Sequence, residues 1–362
     1  MTQTKATVLE KIQYALRECG LPSNVTTNHI LFLGEGAWNK AYLLTYDDMQ
    51  WVVRFPKEEA YGQVVEFDVK QMKAHHEACK YYYQQANIVS PGMCVSDFYY
   101  SVNPNMPYTV ETYMGRTLNL DEIKLSEAES LGHRLGEFYQ LMNCVQTDFE
   151  GFGFFDYEDG QLKGKNEGSI KDFIFQQQEQ YLDKLKFMGM GIQELNINEL
   201  LYRLQELFKV RQVHKEHKKL VNIDPKPENI LMENGKMSLI DANPVLQNGT
   251  ICAGLIMNTY QSVLPNYSNS PRFTRLGYDR NVVKLRTIGD GFLKGYTNGD
   301  ANAVFRVRIE QFLYLLSELG EHLVEVNNPN INIATQYHMG TREIIAQRIP
   351  VLLHEVQSFR FE

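Results

Sequence analysis

The apolar pattern of this chain changes period once, near residue 120, and that change limits the folds open to it. Before it, short β-like runs dominate: ILFLGEG (30–36), WNKAYLLTY (38–46), QWVVRFP (50–56), MCVSDFYYSV (93–102) and PYTVETY (107–113). The polar segments TYDDMQ and NPNMP have the length and composition of hairpin turns. Residues 5–19 read as a short amphipathic helix, and one long helical stretch, 57–85, follows the third run until IVSPG breaks it. After 120, apolar residues recur at i, i+3, i+4 and i+7 in 125–142, 169–188 and 196–217, and again in 285–297, 301–325 and 340–358. The expectation is an α+β, bilobal chain. Residues 1–113 form a small antiparallel β lobe with one main helix, 114–118 (around Met114-Gly115-Arg116) a hinge, and 119–362 a larger helical lobe with one short hairpin at 229–241. A length of 362 residues fits two lobes better than one core.

Several classes of function are disfavoured. A net charge of −8 argues against nucleic acid as the main partner, because neutralising phosphates takes clustered Lys and Arg. No apolar stretch reaches the ~18 residues needed to span a bilayer, so no membrane role is expected. The opening residues mix charges into a helical pattern and do not read as a secretory signal. Five scattered cysteines with no C-x-x-C pair argue against a disulfide framework or zinc site, and with the rest suggest a cytoplasmic protein. The adjacent His75 and His76 would point about 100° apart on a helix and make a poor chelate.

Three segments carry chemistry-bearing residues. GEGAWNKA (34–41) places Gly34 and Gly36 between two strands, where backbone can approach an anion without Cβ interference. In VVRFP, Arg54 sits among Val52, Val53 and Phe55, and a cation on a half-buried strand needs an anionic partner. Glu66 on the following helical stretch is the first choice, with Glu59 and Glu77 as alternatives. In VNIDPKPENILMENGKMSLID (221–241), Asp224 precedes Asn229 by five residues and Asn229 precedes Asp241 by twelve. NILM and MSLI form a hairpin about Asn234-Gly235, and Asp241 ends an apolar strand, where a carboxylate would face a cleft. Any one of these residues reads as turn chemistry. The set, in this order behind GEG and VVR, reads as a base with oxygen ligands for a phosphate-bound metal.

These residues resemble a known group. DPKPENIL is similar to the catalytic loop of the protein-kinase-like fold, and LID to the strand that ends in its metal-binding aspartate. There is no D-F-G, no A-P-E and no long activation segment; LIDANPV leads straight into helical sequence, as in the aminoglycoside phosphotransferase and choline kinase branch. YTVETYMGRTL (108–118) resembles that family's hinge and LGHRLGEFYQLM the helix after it, so the resemblance covers about residues 30–260. It implies a kinase using ATP and Mg2+ on a small-molecule hydroxyl, with a nucleotide-binding first lobe and a substrate site in the second. Asp224 would be the base, Asn229 and Asp241 would hold Mg2+, and Gly34 and Gly36 would cover the phosphates. Arg54 would touch the α- and β-phosphates, and backbone groups around Glu111 to Tyr113 would bind adenine. Three positions depart from the pattern: Asn222 replaces the usual loop-bracing histidine, Arg54 the usual lysine, and Asn39 the third glycine. The histidine's loss implies a looser Asp224. The acidic, aromatic DFEGFGFFDYEDG (148–160) reads either as a solvated loop or as a rim for a cationic acceptor. Two alternatives remain: a catalytically silent kinase fold that binds nucleotide or a partner, and a protein kinase, against which the missing activation segment argues.

Overall fold

The structure, a computed structural model, describes residues 7–36, 38–60, 63–191, 196–211 and 218–362. Helix α1 (Val8–Glu18) is started by a capping box: the Thr7 hydroxyl accepts the Glu10 N–H at 3.3 Å, and the Glu10 carboxylate accepts the Thr7 N–H at 2.6 Å. Strands β1 (Ile30–Glu35), β2 (Asn39–Tyr46) and β3 (Met49–Pro56) follow as read, with a two-residue turn at Asp47-Asp48. The helix expected from 57 starts later. Two-residue strands β4 (Glu59–Ala60) and β5 (Gln63–Val64) come first, and residues 61–62 lie outside those described. Helix α2 (Val69–Val89) begins where Asp68 accepts the Gln71 N–H at 3.0 Å, and it stops just before Ser90-Pro91, where proline disfavours helical geometry. Strand β6 (Phe98–Ser101) is shorter than expected because the Asn87 side chain takes the Cys94 N–H and the Val95 carbonyl. Strands β7 (Tyr108–Thr112) and β8 (Arg116–Thr117) complete this part.

Helix α3 (Leu125–Met142) leads into strands that the sequence reading lacks, β9 (Phe152–Glu158) and β10 (Gln161–Asn166), turned at Asp159-Gly160. Helices α4 (Ile170–Gly191) and α5 (Ile197–Val210) come next; the 212–217 end of the expected helix lies outside the described residues. Strand β11 (Lys218–Asn222), the hairpin β12 (Ile230–Glu233) and β13 (Lys236–Leu239), and strand β14 (Pro244–Asn248) surround the motif. The rest is helical: α6 (Gly249–Asn258), α7 (Leu264–Asn266), α8 (Pro271–Arg275), α9 (Val282–Thr297), α10 (Ala301–Asn327), α11 (Ile333–Met339) and α12 (Arg342–Ser358). Among the described residues no helix is long and apolar enough to cross a membrane.

The chain divides into two compact units. The first holds residues up to Leu118, with Asp156–Leu162 and Glu228–Ala242, so the motif's hairpin belongs to it and not to the helical unit. Its antiparallel sheet runs β1-β2-β3-β7-β6, and Ile12, Ala15 and Leu16 of α1 pack with Val53, Tyr108 and Val110. A smaller sheet runs β13-β12-β8. The second unit holds Asn119–Phe155, Lys163–Pro227 and Asn243–Glu362. Its main core joins α4, α5, α10 and α12 through residues such as Leu185, Leu204, Phe312 and Leu352. It also has a sheet of its own, in which β11 pairs β14 and β14 pairs the base of β9.

In this second unit α3 and α9 cross at glycines. Gly132 and Gly136 of α3 and Gly291 and Gly295 of α9 each face the partner's backbone, where a Cβ would sit 2.0 to 2.2 Å from a carbonyl oxygen. That approach seats Tyr139 of α3 against Phe292 of α9, ring centroids 5.6 Å apart. Because backbone cannot move aside as a side chain can, Gly291→Ala is expected to destabilise the protein by about 1–3 kcal/mol. Chemical denaturation checks it, and an unchanged midpoint would contradict the rigid crossing.

Candidate active site

In the first unit, antiparallel pairing sets Val52 opposite Glu111, so Arg54, two residues on, shares a sheet face with Glu111. The Arg54 Nη2 donates to Glu111 Oε1 at 2.5 Å, and Nη1 donates to Asp241 Oδ1. The Arg54 side chain is 12% exposed, that of Glu111 3%, and that of Asp241 50%. Burial by itself would lower the Arg54 pKa, but the Asp241 and Glu111 carboxylates outweigh it and hold the guanidinium above its ordinary value. Burial pushes Glu111 above the usual carboxylate range, and Arg54 pulls it part of the way back.

The helix carboxylate expected for Arg54 is therefore a correction. Glu66 is exposed in the irregular segment before α2 and is not its partner. Glu59 lies in β4, and Glu77 accepts a hydrogen bond from the Tyr100 hydroxyl. Because α2 begins at Val69, the glutamates of 57–68 never join a helix face; Arg54 takes its carboxylates from the neighbouring strand and the hairpin.

The hairpin turns at Asn234 (φ 50°) and Gly235 (φ 76°), the two positive angles of a type I′ turn. Its register, Ile230 opposite Leu239, is extended by the Ile240 N–H donating to the Asn229 carbonyl at 3.0 Å. Asn229 and Asp241 thus leave the open end of one hairpin together. Asp241 has φ 49°, a left-handed conformation unusual outside glycine. Oxygen donors from one carboxylate and one carboxamide suit a hard cation such as Mg2+, which takes few protein ligands and completes its shell with phosphate and water. Among the described residues no cluster of three His, Cys, Asp or Glu that could hold a metal ion is found.

At the other predicted positions, Gly34 lies at a bulge between β1 and β2 with φ 142°, and open space surrounds the Cβ positions of both Gly34 and Gly36. Ala37 lies outside the described residues. The loop is closed by the Gly36 N–H donating to the Asn39 carbonyl at 2.9 Å. The Thr112 and Tyr113 N–H groups are already donated, to the Asp97 and Gln50 carbonyls. The expected adenine contact at Tyr113 is accordingly not through its N–H. The 148–160 segment is largely strand; Asp156 pairs with Lys70 at 3.1 Å, and the Lys73 ammonium lies 4.6 Å from the Tyr157 ring centre. Asp156 and Tyr157 thus engage α2, and the segment expected as a solvated loop or a rim is mostly strand.

Asp224 belongs to the second unit, five residues before Asn229 in sequence. Its loop is held by side chains. The fully buried Asn222 carboxamide oxygen accepts the Asp224 N–H at 3.0 Å and the Asn243 N–H at 2.9 Å. The Tyr139 hydroxyl donates to the Asn222 carbonyl at 2.7 Å, and the Tyr260 hydroxyl donates to the Pro225 carbonyl at 2.6 Å. Tyr260 is fully buried in a π-helical turn, Thr259–Val263. The Lys226 ammonium lies 2.5 Å from Asp224 Oδ1. The looser Asp224 implied by the histidine's replacement is not what is seen, because two N–H donors on one oxygen are a brace that asparagine supplies.

No protein-family model matches the sequence, and no curated protein matches it either. Solved structures do. A Plasmodium vivax ethanolamine kinase matches over 97% of this chain and 89% of its own, with TM-score 0.52 and 12% identity. A thermostable mutant of an aminoglycoside phosphotransferase, in ternary complex with ADP and hygromycin B, matches over 95% and 97%, with TM-score 0.52 and 13% identity. An ADP-bound aminoglycoside phosphotransferase matches over 96% and 97%, with TM-score 0.50 and 14% identity. The chain has the α+β protein-kinase-like fold. Its structural likeness is to solved aminoglycoside phosphotransferases and an ethanolamine kinase.

Asn222→Ala would strip the acceptor from two N–H groups at once. The expected loss is about 2–4 kcal/mol, from one or more buried donors at about 1–3 each. Equilibrium unfolding measures it, and a loss within 0.5 kcal/mol, the ordinary scatter of surface substitutions, would show that water replaces the brace.

Proposed function

We propose that the protein is an ATP-dependent phosphotransferase that moves the γ-phosphate to a hydroxyl of a small molecule. The observation that carries this reading is the buried Arg54, held by Glu111 and reaching the half-exposed Asp241 at the mouth of the hairpin that also bears Asn229. A structural ion pair has no need of that arrangement: a fixed cation, a carboxylate and a carboxamide on one short frame are the groups a nucleotide triphosphate requires.

In this reading Asp224 accepts the acceptor's hydroxyl proton, and its own N–H bond to Asn222 keeps the carboxylate from swinging with the loop. Arg54 binds the α- and β-phosphates, its fork held by Glu111, and being a guanidinium it stays charged throughout. Gly34 and Gly36 leave room for the phosphates beneath the β1–β2 loop. Adenine would use backbone around Glu111 to Tyr113 other than the two N–H groups already donated. Asn229 and Asp241 would hold Mg2+, which when bound supplies charge neutralisation on the β- and γ-phosphates. Catalysis is then mainly positioning and electrostatic stabilisation. The regions proposed to select the acceptor are residues 148–200, of which Asp156–Leu162 belong to the first unit, and 262–340 in the second. The net charge of −8 favours a cationic acceptor such as an amino sugar or amino alcohol, and the reading places the protein in the cytoplasm.

The test is transfer of label from γ-labelled ATP, with Mg2+, to aminoglycosides, choline, ethanolamine, homoserine and simple sugars. Label is expected in one class with the wild type. Asp224→Ala is expected to lower turnover by about 10²–10⁴-fold, the usual contribution of a positioned base. A chelator is expected to stop transfer. Mg2+-dependent nucleotide binding without transfer to any acceptor would favour the silent kinase fold, and absence of nucleotide binding would sink the phosphotransferase reading.

A further inference from the structure

Among the described residues the partners of Arg54 are Glu111 and Asp241, so helix α2 gives it no carboxylate. What α2 supplies is a clamp on Ala242. Cys79 and Tyr83 stand one turn apart on the same helix face. The Cys79 thiol donates to the Ala242 carbonyl at 3.2 Å, and the Tyr83 hydroxyl oxygen accepts the Ala242 N–H at 3.2 Å. Ala242 is 1% exposed, and Cys79 and Tyr83 are 3% each. Both backbone polar groups of one residue are thus taken by two side chains of one helix, out of reach of water.

The residue clamped is the one after Asp241. The Ala242 N–H lies in the peptide plane that closes the ψ rotation of Asp241, so a bond to Tyr83 fixes that rotation. One peptide upstream, the Ile240 N–H bond to the Asn229 carbonyl anchors the chain on its way into Asp241. A non-glycine residue at φ 49° persists only when its surroundings determine it, and these bonds are those surroundings. Burial pushes both the Cys79 thiol and the Tyr83 phenol well above their ordinary pKa values, so both stay neutral and Cys79 keeps the hydrogen it donates.

We propose that Tyr83 and Cys79 are positioning residues that aim the Asp241 carboxylate, so that helix α2 sets the affinity for the phosphate-bound cation through backbone. The proposal rests on the phosphotransferase reading above. Second-layer groups that orient a ligand change metal affinity by about 10–100-fold when removed. Tyr83→Phe and Cys79→Ala are each expected to show a loss of that size.

The test is calorimetric titration of the full chain with a non-hydrolysable ATP analogue, in Mg2+ and in chelator, with melting curves to verify folding. Tyr83→Phe and Cys79→Ala should weaken binding of the Mg2+ complex and leave metal-free nucleotide binding unchanged. Two comparison variants separate positioning from general damage. Tyr82→Phe removes a buried hydroxyl that has no hydrogen-bond partner among the described residues, one residue away on the same helix, and should bind Mg2+ nucleotide as the wild type does. Cys79→Ser keeps a donor at the same place and should retain affinity. Unchanged Mg2+ dependence in Tyr83→Phe, or an equal loss in Tyr82→Phe, would overturn the positioning role alone. A wild type that binds no Mg2+ nucleotide would overturn the phosphotransferase reading and this inference with it.

Discussion

A guanidinium withdrawn from water must find carboxylates, and in the first unit that need decides how several segments lie. Arg54 stands on β3 with most of its surface covered, and it joins Glu111 of β7 to Asp241 beyond the hairpin. Breaking such a buried pair costs about 3–5 kcal/mol because one charge is left stranded. The β3–β7 register, the end of β13 and the direction of the Asp241 carboxylate are therefore tied to one side chain. The arrangement leaves Asp241 half exposed while Glu111 is buried, so one carboxylate anchors the cation and the other remains available to solvent.

The second unit solves a different problem. The loop that carries Asp224 leaves the ladder after β11, so strand pairing cannot hold it. Side chains from distant elements take over its backbone groups: Asn222 within the motif, Tyr139 from α3 and Tyr260 from the turn after α6. Tyr139 reaches the loop because α3 and α9 approach at glycines, where any side chain would collide with a carbonyl. Helix packing far from the chemistry is in this way connected to the position of Asp224 through two contacts.

The hairpin was legible because Asn-Gly between apolar runs specifies a type I′ turn locally, and its register follows from the turn. The strands of the first sheet were legible for a similar reason: β1-β2-β3 and β6-β7 are successive, and the β2–β3 and β6–β7 turns carry Asp-Asp and Pro-Asn signals. Arg54's need for an anion was legible too. The identity of that anion was not, although YTVETY holds the same sign as VVRFP, a single charge inside an apolar strand. Two such strands that pair bring their charges together. Helix composition over 57–68 pointed to Glu66 instead, and a cap at Asp68 overrode it. Strands β9, β10, β11 and β14 were missed because they lack clean apolar alternation, and because β14 pairs with β9 across a long separation in sequence and with β11 beyond the intervening hairpin.

By itself the sequence determined the order of elements, the change from strand to helix, the hairpin turn and the candidate base and ligands, because each depends on residues within a few positions of one another. Only the tertiary structure decided which carboxylates meet Arg54, that Asn222 braces the Asp224 loop, and that Cys79 and Tyr83 hold the peptide after Asp241. Those contacts join residues separated by 2 to 187 positions, and even the shortest depends on Asn222 being fully buried. Burial removes water as the competing partner, and which groups are buried together is a property of the packed chain rather than of any local stretch.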